Sequence, residues 1–331
     1  MAIYILIGII AGLAAAALYA TVVTGAAIAL LLFYIAPLPL FIVGLGWGAV
    51  SAFAGGIAGS LALSVAVDPK LGGVFAITVA LAPVVLSHLA LKSRPLPADE
   101  GQPSPGDEWY PEGRLVMWAT GLAVVLVAAT LFLTGTGPAQ LNELLSEMME
   151  RMAALQGGTG VPDTPELQSS MKEFMKTASL FVPAISASVW IAATLLNMAL
   201  ASKVLSASGR NVRDWAPFRN LALPAGTEYA FVIVVACAFL LTGTFGLVAK
   251  TAAFSLLTAV GILGLATIHY LVKDFPTRVM ILTGLYALLF VIPGIGVFPV
   301  LAMGFGELIF GLRARKQSSG GSTPRPPSQP T

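Results

Sequence analysis

The sequence predicts an all-α fold: a polytopic transmembrane helix bundle of about eight to ten membrane segments with an extracytoplasmic amphipathic helical insertion. Three observations point to it. Only 10% of the 331 residues are charged and 57% are hydrophobic, where soluble domains carry about 25% charged residues; the mean hydropathy is +0.87. The apolar runs are continuous rather than alternating, which excludes an outer-membrane-type barrel. The charged residues gather in a few stretches between the runs, and the basic and acidic stretches are segregated.

Met1–Val67 has no charged residue and, at about 20 residues per crossing, is long enough for three spans. Its first span lacks a basic leader and is expected to stay uncleaved. Further runs follow at Leu71–Leu91, Leu115–Thr134, Thr177–Ser202, Thr227–Phe245, Thr251–Leu271 and Val279–Leu312. The last contains Pro293-Gly294-Ile295-Gly296 and reads as two helices joined by a tight turn. The organisation is membrane helices over 1–91, a flexible cytoplasmic loop over 92–113, a membrane helix over 114–134, an extracytoplasmic helical loop over 135–176, membrane helices over 177–312 and a disordered cytoplasmic tail over 313–331.

Lysine and arginine set the orientation. Lys203, Arg210, Arg213 and Arg219 share one loop, Lys273 and Arg278 another, and Arg313, Arg315 and Lys316 close the last run. With these on the cytoplasmic side, Lys92, Arg94 and Arg114 also fall inside, the acidic loop 135–176 falls outside, and Lys250 is the one misfit. Both termini are then cytoplasmic, and the expected location is the inner (plasma) membrane. In the outer loop, Leu141, Leu144, Leu145, Met148, Met149, Met152 and Leu155 recur at helical spacing, which makes an amphipathic helix. Gly157-Gly158 ends it, and Thr164-Pro165-Glu166 starts a second helix. This insertion either lies on the membrane surface or forms a lid over a cavity between spans, in which case a closed polar pocket lined by groups such as Asn197, Trp190 or Glu228 is expected beneath it.

Few residues offer chemistry. Asn197 and Trp190, two turns apart in one span, bind either a neighbouring helix or a ligand. Glu228 lies either at the headgroup level of a helix start or in a binding site. Glu307 lies inside a span after Gly304-Phe305-Gly306 and faces either the bundle interior or, with Arg313 and Arg315 nearby, the cytoplasmic edge. His88 and His269 sit near span ends without a second metal ligand at useful spacing. No metal site, cofactor or catalytic motif is expected: "GTFGLVAKT" has Ala249 where a phosphate loop needs glycine, and a single cysteine, Cys237, excludes a disulfide framework. The formal charge of +2 gives no ground for nucleic-acid binding.

Proline and glycine punctuate the runs. Pro37 and Pro39 break the helix within "YIAPLPLFIVGLGWG". They fall at a cytoplasmic turn if the first 36 residues make two short crossings, and toward the outer side if they make one. Gly8, Ala11, Gly12, Ala15 and Ala16 on the first span, and Gly44 and Gly48 after the prolines, give smooth faces. These serve either packing within the chain or docking of a separate membrane subunit. The pattern P-x4-G-x-G occurs at Pro39–Gly46 and again at Pro299–Gly306, and interrupted segments in corresponding positions point toward a transporter binding region.

The stretches "AGLAAAALY", "YIAPLPLFIVGLGWG" and "LYALLFVIPGIGVFPVLAMGFGELIFGLRAR" resemble the YybS-like family of bacterial multi-spanning proteins over most of the chain. That family is distantly similar to the substrate-binding components of energy-coupling-factor transporters. The resemblance implies a small-molecule binding or uptake component without its own ATPase, with a coupling-type subunit meeting Ala11 and Ala15, or Gly8, Gly12 and Ala16. The other expectation, from the residues alone, is a non-transporting scaffold acting through its Gly/Ala faces.

Overall fold

The computed structural model describes residues 1–24, 27–95, 107–155 and 165–320. The expected Gly157-Gly158 stop, Thr164 and the end of the tail lie outside the described residues. Among the described residues the regular structure is helical apart from two short strands, and the chain divides into two units: Met1–Trp215 with Ile233–Leu256, and Ala216–Val232 with Leu257–Thr331. Among the described residues, seven helices are long and apolar enough to cross a membrane, and an eighth crossing is added if the bent pair Gly294–Phe310 and Leu312–Ser318 counts as one. Two shorter apolar helices, Thr227–Leu240 and Arg278–Val291, occupy the other expected segments.

The first unit begins with α1 (Ala2–Ala20), α2 (Ala27–Ile35), α3 (Leu38–Trp47) and α4 (Ala49–Ala66). A Cβ added at Gly8 would overlap the Ser51 carbonyl, and one at Gly12 the Gly55 carbonyl; Gly59 in turn sits against the carbonyl of Gly12. The contacts advance in the same direction along both helices, so α1 and α4 are parallel and pack as a small-residue pair. Parallel neighbours need one crossing between them. Ile28–Trp47 supplies it as a single 20-residue span, with Pro37 and Pro39 at its middle. The prolines therefore do break a helix, but at mid-span and not at a turn on either membrane face.

The α3–α4 joint is a single residue. Gly48 has φ 98° and ψ 159°, a region open essentially to glycine, and space surrounds its Cβ position. Its glycine serves the joint rather than a packing face. Next come α5 (Pro69–Phe75), a π-turn over Ala76–Ala80, and α6 (Leu81–Ala90), which together make one span. Asp68 caps α5, its carboxylate accepting from the Lys70 N–H at 2.7 Å.

The loop 92–113 was expected to be unstructured. Its two ends instead pair as antiparallel strands, β1 (Ser93–Pro95) with β2 (Asp107–Trp109). Then follow α7 (Glu112–Thr134), α8 (Pro138–Leu155), α9 (Pro165–Ser179) and the 26-residue α10 (Val182–Ala207). Among the described residues, two large apolar clusters and a smaller one around Ala11, Val43 and Ala52 hold the unit. One large cluster joins Phe41 and Leu45 of α3 with Leu86, Leu115, Met198 and Leu205; the other joins Tyr19 of α1 with Leu40, Leu63 and Phe75. α3 contributes to both and lies at the centre of the unit.

α11 (Thr227–Leu240) and α12 (Gly243–Leu271) meet at Gly243, which takes a positive φ of 62°. α12 starts eight residues earlier than the apolar run implied, so Lys250 is a helix residue and not a loop residue. Its ammonium donates to the Ala238 carbonyl at 3.3 Å, near the electronegative C-terminus of α11.

In the second unit, α13 (Arg278–Val291) and α14 (Pro293–Phe310) are separated only by Ile292. Pro293 opens α14, while Pro299 lies inside it and the helix continues through. Gly264 packs against the Val300 carbonyl and Gly304 against that of Val260, so the second P-x4-G-x-G stretch makes a close helix crossing. At the first, Gly44 faces the Ser87 side chain and Gly46 that of Leu205. Gly311, at φ 59°, ends α14 and turns the chain into α15 (Leu312–Gly320), a helix where the composition implied disorder.

Candidate functional site

A cleft of about 420 Å³ lies in the first unit beneath the start of α8. The C-terminal half of α7 (Ala123 to Thr134) forms one wall and Val182 to Trp190 of α10 another. Ile77 and Thr78 of the π-turn form the floor, and Leu141 and Leu144 of α8 cover it. Where a closed polar pocket was expected, this is an open cleft that no charged residue lines, and neither Asn197 nor Glu228 belongs to it. Its threonines are mostly committed: Thr78, Thr130 and Thr134 each donate to the carbonyl four residues back, at 2.7–2.9 Å. The walls are therefore apolar, with Ser186 as an exposed hydroxyl having no partner among the described residues. Farther along α8, Met148 and Met149 remain exposed. α8 thus covers the cleft with its first turns and presents its later apolar side chains outward.

Trp190 lines this cleft, but its indole N–H is used. It donates to the Thr78 carbonyl at 2.8 Å. The reason lies in the backbone. In the π-turn the Leu81 N–H reaches back five residues to Ala76, and the same register places Pro83, which has no N–H, opposite Thr78. Asn197 does the same work one span away, where Nδ2 donates to the Tyr34 carbonyl at 2.7 Å and to Ala193 at 2.8 Å. The interruption at Pro37-Leu38-Pro39 leaves Tyr34 without a backbone partner among the described contacts. Two proline-freed carbonyls are thus satisfied from positions i and i+7 of α10, as backbone in hydrocarbon requires. Asn197 does not line the cleft.

Of the residues expected to meet a separate subunit, Gly8, Ala11, Gly12, Ala15 and Ala16 are all buried, and they lie on the α1 face turned into the unit. Glu228 belongs to the second unit, half-buried in the first turn of α11, where a helix N-terminus favours a carboxylate. Glu307 is paired. One oxygen accepts from Arg313 Nε at 2.8 Å and the other from the Arg313 backbone N–H at 3.0 Å. Arg313 in turn holds the carbonyls of Arg219 and Leu221. His269 Nε2 lies 2.9 Å from the Tyr286 hydroxyl, and His88 is exposed. Among the described residues no three His, Cys, Asp or Glu side chains converge.

Reading charges from the sequence missed Arg213. It looks like one more loop cation, yet its side chain is 3% exposed. It donates to the carbonyls of Ala90 (2.8 Å) and Tyr110 (3.0 Å) and to Glu112 (2.5 Å), and stacks 4.2 Å from the Trp215 ring. Burial pulls its pKa below the usual guanidinium value, and the Glu112 carboxylate opposes that shift. Trp109 and Trp215, which flank it, were the available signal in the sequence.

The fold and the cleft define a polytopic helical membrane protein with an apolar recess between spans. Residues 8–306 match the family described as "Predicted membrane protein (DUF2232)", and the chain belongs to that family. No curated protein and no solved structure matches it.

Proposed function

We propose that the protein captures a small apolar or amphiphilic molecule in the cleft beneath α8, as the binding component of a transport system whose energy comes from other subunits. The observation that carries this reading is the uncharged cleft of about 420 Å³, a size and lining typical of small-molecule sites. α8 suits the part of a lid. The basic loops favour an orientation with the Arg114 end of α7 on the cytoplasmic side; in that orientation the cleft at the other end opens to the outside, where capture is useful. The resemblance to energy-coupling-factor binding components supports the same class of role, though not their mode of coupling, because the small residues of α1 are turned inward. A scaffold acting through those Gly/Ala faces finds them occupied for the same reason.

Native mass spectrometry of the gently purified protein tests the proposal. A co-purifying apolar molecule is expected, and Ser186→Phe, which fills the cleft from an exposed position, is expected to lose it. No adduct on the wild-type protein, or equal retention by the variant, rules the proposal out.

A further inference from the structure

A second recess of about 280 Å³ lies in the same unit, between the β1–β2 pair and the start of α7. We propose that it holds the phosphate of an anionic lipid headgroup. Three cations, Lys92, Arg94 and Arg114, line it against one carboxylate, Glu108. That carboxylate is already engaged by Arg94, Nε to Oε2 at 2.6 Å. Lys92 and Arg114 have no anionic partner among the described residues, so the described lining carries two more positive charges than negative ones. Its floor is fixed: the Tyr110 N–H donates to the Lys92 carbonyl at 2.9 Å, and buried Arg213 holds the Tyr110 and Ala90 carbonyls.

The position selects a lipid. The recess sits where α6 ends and α7 begins, and both belong to candidate membrane spans, so it lies at the polar edge of the bilayer. Trp109 and Tyr110 line it, aromatic residues of the kind that settle at headgroup depth. Trp118 follows Arg114 by one turn on the same helix face, is 47% exposed, and is anchored by its indole N–H to the Tyr110 hydroxyl at 2.9 Å. Val125, two turns further on that face, is 63% exposed. A headgroup on Lys92 and Arg114 therefore has an apolar track for its acyl chain directly beneath it. Basic recesses beside membrane helices bind anionic headgroups in this way.

The test is native mass spectrometry of the full chain in mild detergent, titrated with phosphatidylglycerol, with phosphatidylcholine, or with inorganic phosphate. Phosphatidylglycerol adducts are expected to dominate. Affinity should fall about fivefold in Lys92→Gln or Arg114→Gln and roughly thirtyfold in the double variant, while Lys203→Gln leaves it unchanged. Both target side chains are exposed, and an unaltered melting midpoint shows that the variants fold. Equal binding of the two lipids, or unchanged phosphatidylglycerol binding in the folded variants, overturns the proposal. Adducts with inorganic phosphate at comparable affinity overturn the lipid assignment.

Discussion

Asn197 and Trp190 show how a polar side chain in a membrane helix can serve the backbone of another span. The Asn197 amide meets a carbonyl that has lost its helical partner, and a leucine there would strand it. Asn197→Leu is expected to cost about 1–2 kcal/mol, read as a lower denaturation midpoint in detergent; an unchanged midpoint would show that Tyr34 finds another donor. The sequence made Asn197 conspicuous but left its partner open, because the carbonyl that needs it lies 163 residues away. Arg213 was less legible still. Counting cations by loop treats each as solvated, and only the fold shows that three of its contacts lie near positions 90–112.

At the scale of elements, α1 and α4 depend on glycine in a way that most glycines of the chain do not share. Gly12→Ala places a methyl group on the Gly55 carbonyl and must push two helices apart. Gly121 on α7 has nothing near its Cβ position, and Gly121→Ala should be neutral or stabilising by about 0.5–1 kcal/mol. Thermal melts of the two variants check the contrast, and equal midpoints would refute the close α1–α4 packing. Among the described residues hydropathy located the apolar helices, since burial in lipid needs only length and composition. It misjudged where helices join. The Gly48 and Gly243 joints depend on backbone angles, and Pro299 fits inside a helix that a pattern search would have ended; the break beside Pro293, by contrast, was expected and falls at Ile292.

At the scale of the whole molecule, the cleft and the basic recess use opposite ends of one helix. Arg114 and Thr134 are twenty residues apart on α7, about 30 Å along its axis, enough to cross the hydrocarbon. The proposed orientation makes this measurable. With Cys237 replaced by alanine, a cysteine at Thr136 should react with an impermeant maleimide in intact cells, and one at Lys92 only after the membrane is opened. The reverse pattern would invert the orientation and turn the cleft inward. The sequence offered a lid over a cavity between spans and singled out Trp190, which lines the cleft, but not the cleft's apolar lining; the basic recess was not legible as a site. The cleft is assembled from four separate helical stretches, and the recess from two ends of a loop that reads as featureless.

The carbonyls freed by the prolines also impose an order on biogenesis. The spans that contain Tyr34 and Thr78 leave the ribosome long before Trp190 and Asn197 are made. Until α10 is made, those two backbone acceptors lack the side-chain donors that meet them in the folded chain. Completion of α10 closes both together, so a single late helix locks spans that were synthesised well before it.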